Sequence, residues 1–433
     1  MSIARPKATV SVLMPTFNRA RYIAQALVSV LAQSHTPHEV LVLDDGSTDD
    51  TAAVCAAFGD RVRHIHLGEN KGKSAAINRG LELASGDFIW VMDDDDIAPP
   101  CALATLLAPM ADARVGFAFG RLLKFQEDAE GGKLFEPDEP EATYDRRNLF
   151  VSLMEDCFIT GQPCTLIRRA CFDAIGRIDE TVLASVDYNI LLHVARRFEG
   201  ADVGQVVLWQ RQHRGLRGPV KLRYHPHQRV ARWMAFDARL LADLLPNLAL
   251  EEFLGRPGPG RPLSPRERRR ALFQKAVIAA RKNLWDLALE SLAQARSTTD
   301  AALTVADELV LSRMLGSRYG IDALIGAPAL QRRLAQAVGP GRLGRAIRTA
   351  IAARLTFWIG KALRRADLAR LVRGAATLVR VAGPTRSPRL ALHAVLKTLG
   401  VDGRRRPGQA QQGRRPAAVA AYEGAQNPPE ATA

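Results

Sequence analysis

Short apolar runs alternate with helical patterns over the first hundred residues of the chain. The apolar runs that predict strands cover residues 9–14, 39–43, 64–67 and 88–92. The segments between them predict helices over residues 21–33, from about residue 49, and over residues 73–84. Because the apolar residues of these runs are mostly continuous rather than alternating, we expect strands buried on both faces, which predicts a parallel, doubly wound α/β sheet. Such sheets bind ligands beyond the carboxyl ends of their strands.

The pattern changes near residue 115, where the regular alternation of strand and helix ends. Further strands are predicted at residues 115–125, 164–168 and 203–209, with an acidic loop at residues 127–141 and a helix from about Ser185. We expect these strands to extend the parallel sheet into a mixed one.

A Gly- and Pro-rich stretch at residues 255–262 predicts a linker, and the chain beyond it is rich in Ala, Leu and Arg. Residues 271–295 and 343–382 have helical composition, whereas the chain from Arg404 onward is rich in Gly, Pro, Gln and Ala. The sequence therefore predicts three parts: an α/β domain over residues 1–232, a basic α-helical region over residues 233–402, and a disordered tail over residues 403–433.

Charge divides the chain into unlike halves. The 433 residues are 47% hydrophobic and 24% charged, which excludes disorder throughout. Residues 1–230 hold 26 Lys and Arg against 30 Asp and Glu, a net charge of −4, whereas residues 231–433 hold 34 against 15, a net charge of +19. The second half is therefore expected to bind an anionic partner.

No long uncharged apolar stretch is present, so we expect no transmembrane helix, no signal peptide and a cytoplasmic location.

Four consecutive aspartates, Asp93 to Asp96, directly follow the predicted strand at residues 88–92. Adjacent carboxylates repel one another, so their place at the end of a buried strand predicts a bound cation. Mg²⁺ and Mn²⁺ prefer oxygen ligands and bind through one or two protein carboxylates together with substrate phosphates. The alternative is an acidic turn before the next helix, but such a turn needs one aspartate rather than four.

A second carboxylate pair, Asp44 and Asp45, follows the predicted strand at residues 39–43 and precedes a Gly turn and a helix. A carboxylate in this place can accept hydrogen bonds from a base or a ribose. It can also simply cap the helix, and both interpretations stay open.

Residues 68–74, with the sequence GENKGKS, lie between a strand and a helix like a phosphate-binding loop. Three residues instead of four separate the two glycines, and Leu67 stands where the first glycine belongs, so the spacing argues against this interpretation. Lys73 can still reach a phosphate from the start of the helix.

The order of these motifs closely resembles that of glycosyltransferase family 2. The segments that carry the resemblance are VSVLMPTFNR at residues 10–19, LDDGSTD at 43–49, NKGKSAAINRG at 70–80 and GDFIWVMDDDDI at 86–97. It is dense over residues 9–101, thinner to about residue 215 and absent beyond. The resemblance implies a GT-A fold, that is, a Rossmann-like, doubly wound mixed sheet, and an inverting enzyme that uses a nucleotide sugar.

Matched residue by residue, the resemblance also implies a binding site for the nucleotide. Pro15, Thr16 and Phe17 would line the nucleobase and ribose pocket, and Asp45 would bind the base.

The same comparison implies roles around the diphosphate. Lys73 and Asp94 would lie at the nucleotide sugar, while Asp93 and Asp95 match the outer positions of the D-x-D motif that holds a divalent metal. Because four aspartates are consecutive, the register of this motif stays open by one residue.

The family also has a general-base carboxylate on a later helix, and Asp187 matches it. Val186 stands where the family commonly has Glu, and capping of the helix by Asp187 is the alternative. Arg211 and His213 match a basic segment after the last strand. For these two residues, an approach to the diphosphate or acceptor and a structural role both stay open.

The chain from Arg342 onward has 18 basic residues against 4 acidic ones. Apolar residues recur there at four-residue spacing, at Leu343, Ile347, Ile351, Leu355 and Ile359. This pattern predicts either a cationic surface for an anionic membrane, over residues 341–415, or a helical bundle with a solvated basic face. Nucleic acid is not expected as a partner, since aromatic residues are sparse and no groove-reading motif is present.

Together these features predict a glycosyltransferase of the hexosyltransferase type that transfers a sugar from a UDP-sugar, with Mn²⁺ or Mg²⁺, to a saccharide or lipid-linked acceptor. The expected setting is biosynthesis of a cell-surface polysaccharide or glycolipid, in the cytoplasm or at the inner face of the cytoplasmic membrane. Two alternatives stay open: a catalytically inactive GT-A protein that binds a glycan or a membrane, and a P-loop phosphotransferase.

Overall fold

The computed structural model describes residues 8–128, 131–138, 144–213, 228–255, 261–316 and 320–383. Of these, the residues within 8–144 and 157–233 form one compact unit, which is α/β. Those within 145–156 and 234–383 form a second unit, which is helical.

The α/β unit contains the strands β1 (Val10–Thr16), β2 (Glu39–Asp44), β3 (Arg63–His66), β4 (Phe88–Val91), β5 (Val115–Glu127), β6 (Lys133–Phe135), β7 (Thr165–Arg168) and β8 (Glu199–Arg211). Within the described residues they form one sheet in the order β3-β2-β1-β4-β7-β5-β6, with β8 beside β5. Strands β1 to β4 are parallel, while β7 runs antiparallel to β4 and β5. This mixed, doubly wound sheet confirms the predicted fold class.

The helices of the described residues follow in chain order: α1 (Ala20–Leu31), α2 (Thr51–Ala56), α3 (Lys73–Leu83), α4 (Ala102–Leu107), α5 (Leu149–Glu155), α6 (Arg169–Ile175), α7 (Val186–Arg197), α8 (Arg229–Leu244), α9 (Pro265–Arg281), α10 (Trp285–Thr298), α11 (Val305–Ser312), α12 (Gly320–Ile325), α13 (Pro328–Val338), α14 (Gly341–Ala352), α15 (Leu355–Arg364) and α16 (Leu368–Ala382). Helix α2 begins two residues later than predicted. The described residues beyond α8 are predominantly helical, which confirms the predicted helical C-terminal region.

The core of the α/β unit is the sheet's central strands and the helices against them. Leu13 of β1, Leu41 of β2 and Trp90 of β4 are fully buried, and burial of each such side chain contributes about 1.5–3 kcal/mol. Helix α3 lies close to this sheet, because a Cβ atom at Gly80 would stand only 3.0 Å from Leu13 and 3.3 Å from Leu43. This close approach fixes the start of α3 at the carboxyl edge of the sheet.

The helical unit is held by buried ion pairs as well as by apolar packing. Arg269 on α9 is fully buried and donates to the Asp307 carboxylate on α11 at 2.9 Å, and Arg270 reaches the same carboxylate at 3.2 Å. Helix α5 belongs to this unit because its Glu155 accepts hydrogen bonds from Gln274 at 2.6 Å and from Arg313 at 2.8 Å.

The two predicted helical stretches are both interrupted. Residues 271–295 divide between α9 and α10 at Asn283, and residues 343–382 divide among α14, α15 and α16, with Ala366 before α16. Asn283 and Ala366 both have left-handed backbones, with φ of 63° and 53°. A left-handed residue ends a helix, so each break is local and abrupt.

Among the described helices, none is long and apolar enough to cross a membrane. The predicted disordered tail, residues 403–433, lies outside the described residues, as do residues 256–260 of the predicted linker. The predicted domain limits at residues 232 and 402 stay predictions.

Candidate active site

A cleft of about 320 Å³ opens in the α/β unit where β1, β2 and β4 end at their carboxyl edge. It brings together all nine residues that the sequence proposed for the site: Pro15, Thr16, Phe17, Asp45, Lys73, Asp93, Asp94, Asp95 and Asp187. Further lining residues that had no proposed role include Arg19, Asn70, Gln162 and Trp233. The cleft thus lies where an α/β sheet of this topology binds ligands.

One wall of the cleft is built by the loops that follow β1 and β2. The side-chain oxygen of Asn18 accepts the backbone N–H of Thr48 at 2.7 Å and that of Asp49 at 3.3 Å. The backbone N–H of Asn18 in turn donates to the Ser47 hydroxyl at 2.9 Å. Asn18 has a left-handed backbone, with φ of 55°, which asparagine tolerates better than most residues. These bonds hold Pro15–Phe17 in a fixed position beside the end of β2.

Asp45 is buried and ties the loop before α3 to the end of β2. Its carboxylate accepts the backbone N–H of Lys71 at 2.9 Å and that of Gly72 at 2.7 Å. Burial raises the pKa of Asp45, although these two hydrogen bonds oppose the shift. The next residue must be glycine, since Gly46 has φ of 86° and a Cβ atom there would lie 2.3 Å from the Gly68 carbonyl oxygen.

These contacts also bear on the phosphate-loop interpretation of residues 68–74. Two backbone N–H groups that such a loop would direct at a phosphate, those of Lys71 and Gly72, already donate to Asp45. The Ser74 hydroxyl donates to the Val182 carbonyl at 3.0 Å instead of facing a ligand. The loop therefore links the end of β2 to the start of α3. These contacts do not support the interpretation of the protein as a P-loop phosphotransferase.

The aspartates after β4 face two basic side chains across the cleft. Lys73, at the start of α3, forms an ion pair with Asp93. Arg19 lies 3.5 Å from Asp94 and 3.8 Å from Asp95. Burial and the neighbouring Asp95 carboxylate raise the pKa of Asp94 to about 7, against the opposing effect of Arg19. The negative charge of the cluster is therefore only partly compensated by the protein's own cations.

Arg211 and His213 contact the aspartate segment rather than line the cleft. Arg211 is 2% exposed, its backbone N–H donates to Asp96 at 2.9 Å, and its guanidinium donates to the Asp95 carbonyl at 2.8 Å. His213 stands 3.0 Å from the Asp95 carboxylate and stacks on Tyr22. Of the two alternatives, the structural role is the one that these contacts support.

Asp187 lies in the first turn of α7, two residues after Ser185, which is the N-cap. Its carboxylate accepts the backbone N–H of Tyr188 at 2.9 Å. Burial by itself would lower the pKa of Lys73, but Asp93, Asp187 and Asp94 raise it overall. Asp187 therefore lies within electrostatic reach of the Lys73 ammonium.

Helix α3 also fixes the segment that leads into α7. The Asn78 side chain donates to the Ile178 carbonyl at 2.9 Å and accepts the Ile178 N–H at 2.9 Å. With the bond from Ser74 to Val182, these contacts bind residues 178–182 to the helix that carries Lys73. The positions of Lys73 and Asp187 are thus set by one rigid element.

Gln162 is a cleft residue that the sequence did not suggest. It is 1% exposed, and neither polar atom of its side-chain amide has a hydrogen-bond partner among the described residues. Its backbone is fixed, because its carbonyl accepts the Thr165 hydroxyl at 2.8 Å and the next carbonyl, of Pro163, accepts the Trp90 indole N–H at 2.9 Å. A buried amide without partners is costly, so this one is available for a ligand that both donates and accepts.

The donor set of the cleft fits a divalent metal that is completed by its substrate. No group of three or more His, Cys, Asp or Glu side chains among the described residues is placed to hold a metal by itself. Two carboxylates, of Asp93 and Asp95, line the cleft on either side of Asp94, whose pKa is raised by burial and by the neighbouring Asp95 carboxylate. Mg²⁺ and Mn²⁺ commonly bind through one or two such carboxylates and the phosphates of a substrate.

A family model and two curated relatives to which this chain is similar are those of glycosyltransferases. Residues 11–176 match the model of glycosyl transferase family 2. The chain is 33% identical to glycosyltransferase GlyG of Streptococcus pneumoniae over 122 residues, which cover 27% of this chain and 40% of GlyG. It is 34% identical over 143 residues to TuaG of Bacillus subtilis, whose name is that of a teichuronic acid biosynthesis glycosyltransferase; the match covers 32% of this chain and 56% of TuaG.

The chain spans less than three fifths of the length of these curated relatives. Among solved structures, residues covering 86% of the chain superpose on Staphylococcus aureus TarS 1–349 in complex with UDP-GlcNAc, covering 91% of that chain, with a TM-score of 0.44 and 15% identity. A likeness at this level does not extend to ligand or activity.

Proposed function

Because the chain belongs, through residues 11–176, to glycosyl transferase family 2, we propose that it is an inverting, divalent-metal-dependent glycosyltransferase. The donor is a nucleoside-diphosphate sugar, with uridine as the nucleoside, and the acceptor is a hydroxyl group. The observation that supports this proposal best is the single cleft that holds Pro15–Phe17, Asp45, the aspartates after β4 and Asp187 together.

The proposed donor lies across the carboxyl edge of the sheet. The base and ribose bind at Pro15–Phe17 and Asp45, beside β1 and β2, where a carboxylate can accept the N3–H of uracil. The diphosphate then lies next to the end of β4. Lys73 and Arg19, which form ion pairs with the aspartates, are the chain's own cations for its phosphates.

Asp93 and Asp95 are the residues proposed to hold Mn²⁺ or Mg²⁺. The bound ion would neutralise negative charge on the departing diphosphate and orient it. Burial, and after it repulsion from Asp95, raises the pKa of Asp94, and a divalent cation beside these carboxylates would offset both effects.

Asp187 is proposed as the general base. The acceptor hydroxyl attacks the anomeric carbon from the face opposite the diphosphate, and its proton passes to the Asp187 carboxylate. A new carbon–oxygen bond forms as the bond between the anomeric carbon and the phosphate oxygen breaks, so the configuration inverts. The nucleoside diphosphate leaves with the electron pair of that bond, on the side of Lys73 and Arg19.

The acceptor is proposed to belong to a cell-surface polysaccharide or glycolipid, and the name of the relative TuaG supports this class. Transfer to water replaces transfer to the acceptor when the acceptor is absent. Release of UDP from a panel of UDP-sugars is therefore a test that needs no knowledge of the acceptor.

The test compares UDP release by the full-length protein with and without Mn²⁺ or Mg²⁺, and by Asp95→Ala. We expect release that requires the metal, and its loss in Asp95→Ala, because that carboxylate is proposed as a metal ligand. Asp173→Ala is the matched control, since Asp173 is an exposed carboxylate on α6. Full metal-dependent release by Asp95→Ala would refute the assignment, and donor binding without any turnover would favour an inactive GT-A protein.

A further inference from the structure

The last three helices of the helical unit carry a strong positive charge. Residues 341–383, which contain α14, α15 and α16, include ten Lys and Arg residues and a single acidic residue, Asp367. The sequence that follows, residues 384–433, adds eight basic residues against three acidic ones. A charge this one-sided attracts an external anionic partner.

Helix α16 presents apolar side chains to solvent in addition to the face that it buries. Leu368 is 70% exposed, Val372 is 60% exposed and Val379 is 45% exposed, and Ala375 between them is exposed as well. These four residues, the exposed stripe, recur at i, i+4, i+7 and i+11, so they lie on one side of the helix. The packed face of α16 is a different one, formed by Gly374, Thr377, Leu378, Val381 and Ala382.

Exposed basic side chains lie on α16 and on the neighbouring helix α15. Arg370, Arg373 and Arg380 are exposed on α16 itself. On the neighbouring helix α15, Phe357 is 53% exposed and Leu363 is 36% exposed, and Lys361, Arg364 and Arg365 are exposed beside them. Several large apolar side chains exposed on adjacent helices indicate an interaction surface.

We propose that the exposed stripe and its arginines bind the surface of a membrane that contains anionic lipids. Leu368, Val372 and Val379 enter the boundary between headgroups and acyl chains, which removes their apolar surface from water. The arginines keep their guanidinium groups at the level of the lipid phosphates, because their long stems can lie along apolar surface. Each basic residue near such a surface strengthens binding by about fivefold.

The combination favours lipid over nucleic acid. The phosphates of a nucleic acid would form ion pairs with the arginines, but they would not bury the three exposed aliphatic side chains on the same helix. An anionic bilayer both pairs with the arginines and buries the aliphatic side chains. This surface lies in the helical unit and is separate from the candidate active site, so the inference goes beyond the proposed function and does not depend on it.

The test is flotation of the full-length protein with vesicles of phosphatidylcholine and phosphatidylglycerol, compared with vesicles of phosphatidylcholine alone. We expect binding to the anionic vesicles that weakens as salt is added. The affinity of L368Q/V372Q for these vesicles should fall by at least about tenfold, because the variant removes the two most exposed apolar side chains of the stripe. V305Q/L309Q on α11 is the matched control, since these residues have the same spacing and exposures of 75% and 60%.

A second pair of variants tests the charge. R364Q/R373Q should weaken binding and reduce its salt dependence, whereas R266Q/R268Q, which removes two exposed arginines of α9, should not. Helical circular dichroism and UDP release should be unchanged in all four variants. Equal flotation with L368Q/V372Q and wild type, equal flotation with both kinds of vesicle, or binding of an RNA duplex without binding of vesicles would overturn the proposal.

Discussion

In the cleft of the α/β unit, acidic side chains form ion pairs with basic ones, and a bound donor would change these pairs. Lys73 and Arg19 partly neutralise Asp93, Asp94 and Asp95. A diphosphate brings further negative charge to the same place, so its binding must be accompanied by additional positive charge. The proposed metal supplies that charge, and the two side chains are free to turn to the phosphates.

The role of Asp187 gives the sharpest prediction for a single residue. Asp187→Asn keeps the shape of the side chain but cannot accept the proton of the acceptor. We expect kcat to fall by about 10²- to 10⁴-fold, the usual effect of losing a general base, while affinity for the donor is unchanged. Steady-state kinetics together with calorimetry of UDP binding would measure both quantities.

Asp173→Asn is the control for this change, because Asp173 is exposed on α6 outside the cleft. Loss of donor affinity in Asp187→Asn, with transfer proportional to the remaining bound donor, would contradict the role of Asp187 as a base.

Gln162 gives a second prediction, about the sugar. It stands at the start of β7, next to β4 in the sheet and on the side away from β1. Since the base is proposed at β1 and β2 and the diphosphate at β4, the next position along the edge is that of the sugar. We expect Gln162→Leu to weaken binding of the UDP-sugar by about two- to tenfold and to leave binding of UDP unchanged.

Competition calorimetry with UDP and the UDP-sugar would separate the two ligands. Gln162→Asn, which keeps the amide on a shorter side chain, is the companion variant and should retain part of the affinity. An equal loss for UDP and for the UDP-sugar would contradict a contact with the sugar.

Single residues were predictable from the sequence only where a motif surrounds them. Asp93 to Asp95 stand out as a run, and Asp187 was found through the resemblance to a family. Gln162 has no comparable signal, since it is one amide in an irregular turn, and its importance follows from the burial of a side chain that has no hydrogen-bond partner among the described residues. Arg19 lay within a matched motif, but its contacts with Asp94 and Asp95 span about 75 residues of sequence and depend on the fold.

At the scale of elements, the buried ion pair between α9 and α11 leads to a prediction about stability. Asp307→Asn leaves the fully buried Arg269 with an uncompensated charge, so we expect the free energy of unfolding to fall by about 3–5 kcal/mol. Burial alone would raise the pKa of Asp307, but hydrogen bonds from Thr304, Arg269 and Arg270 lower it below its ordinary value of 3.8. Its contribution is therefore present above pH 3.8 and is lost as the pH falls through the lowered pKa.

Urea titrations at pH 7 and near pH 3 would measure this difference. Asp286→Asn is the control, because Asp286 forms an exposed ion pair with Arg333 on α13 and should change stability by less than about 1 kcal/mol. A similar small effect of both substitutions, or a difference between Asp307→Asn and wild type that grows on acidification, would contradict the argument.

The sequence predicted the type of each element better than its limits. The strands at the centre of the sheet were recognisable because they are continuously apolar. The break between α9 and α10 at Asn283 was not, since the apolar pattern continues across it and the left-handed backbone depends on local packing. The place of α5 in the helical unit likewise rests on Glu155, whose partners Gln274 and Arg313 lie more than a hundred residues away.

At the scale of the whole molecule, charge and fold divide the chain in the same way. The α/β unit carries the acidic cleft, while the helical unit carries the basic helices α14 to α16. The charge imbalance was evident from composition alone. Only the structure shows where the basic side chains lie and that apolar side chains of α16 are exposed on the same helices.

The central claim is that the cleft binds the diphosphate of a nucleotide sugar through a metal at the aspartates after β4. The most direct measurement is a crystal structure of the protein with UDP and Mn²⁺, with the ion located by its anomalous scattering. The account predicts an anomalous peak at Asp93 and Asp95, phosphates beside Lys73, and the uracil at Asp45. An empty cleft with UDP bound elsewhere on the protein would contradict it.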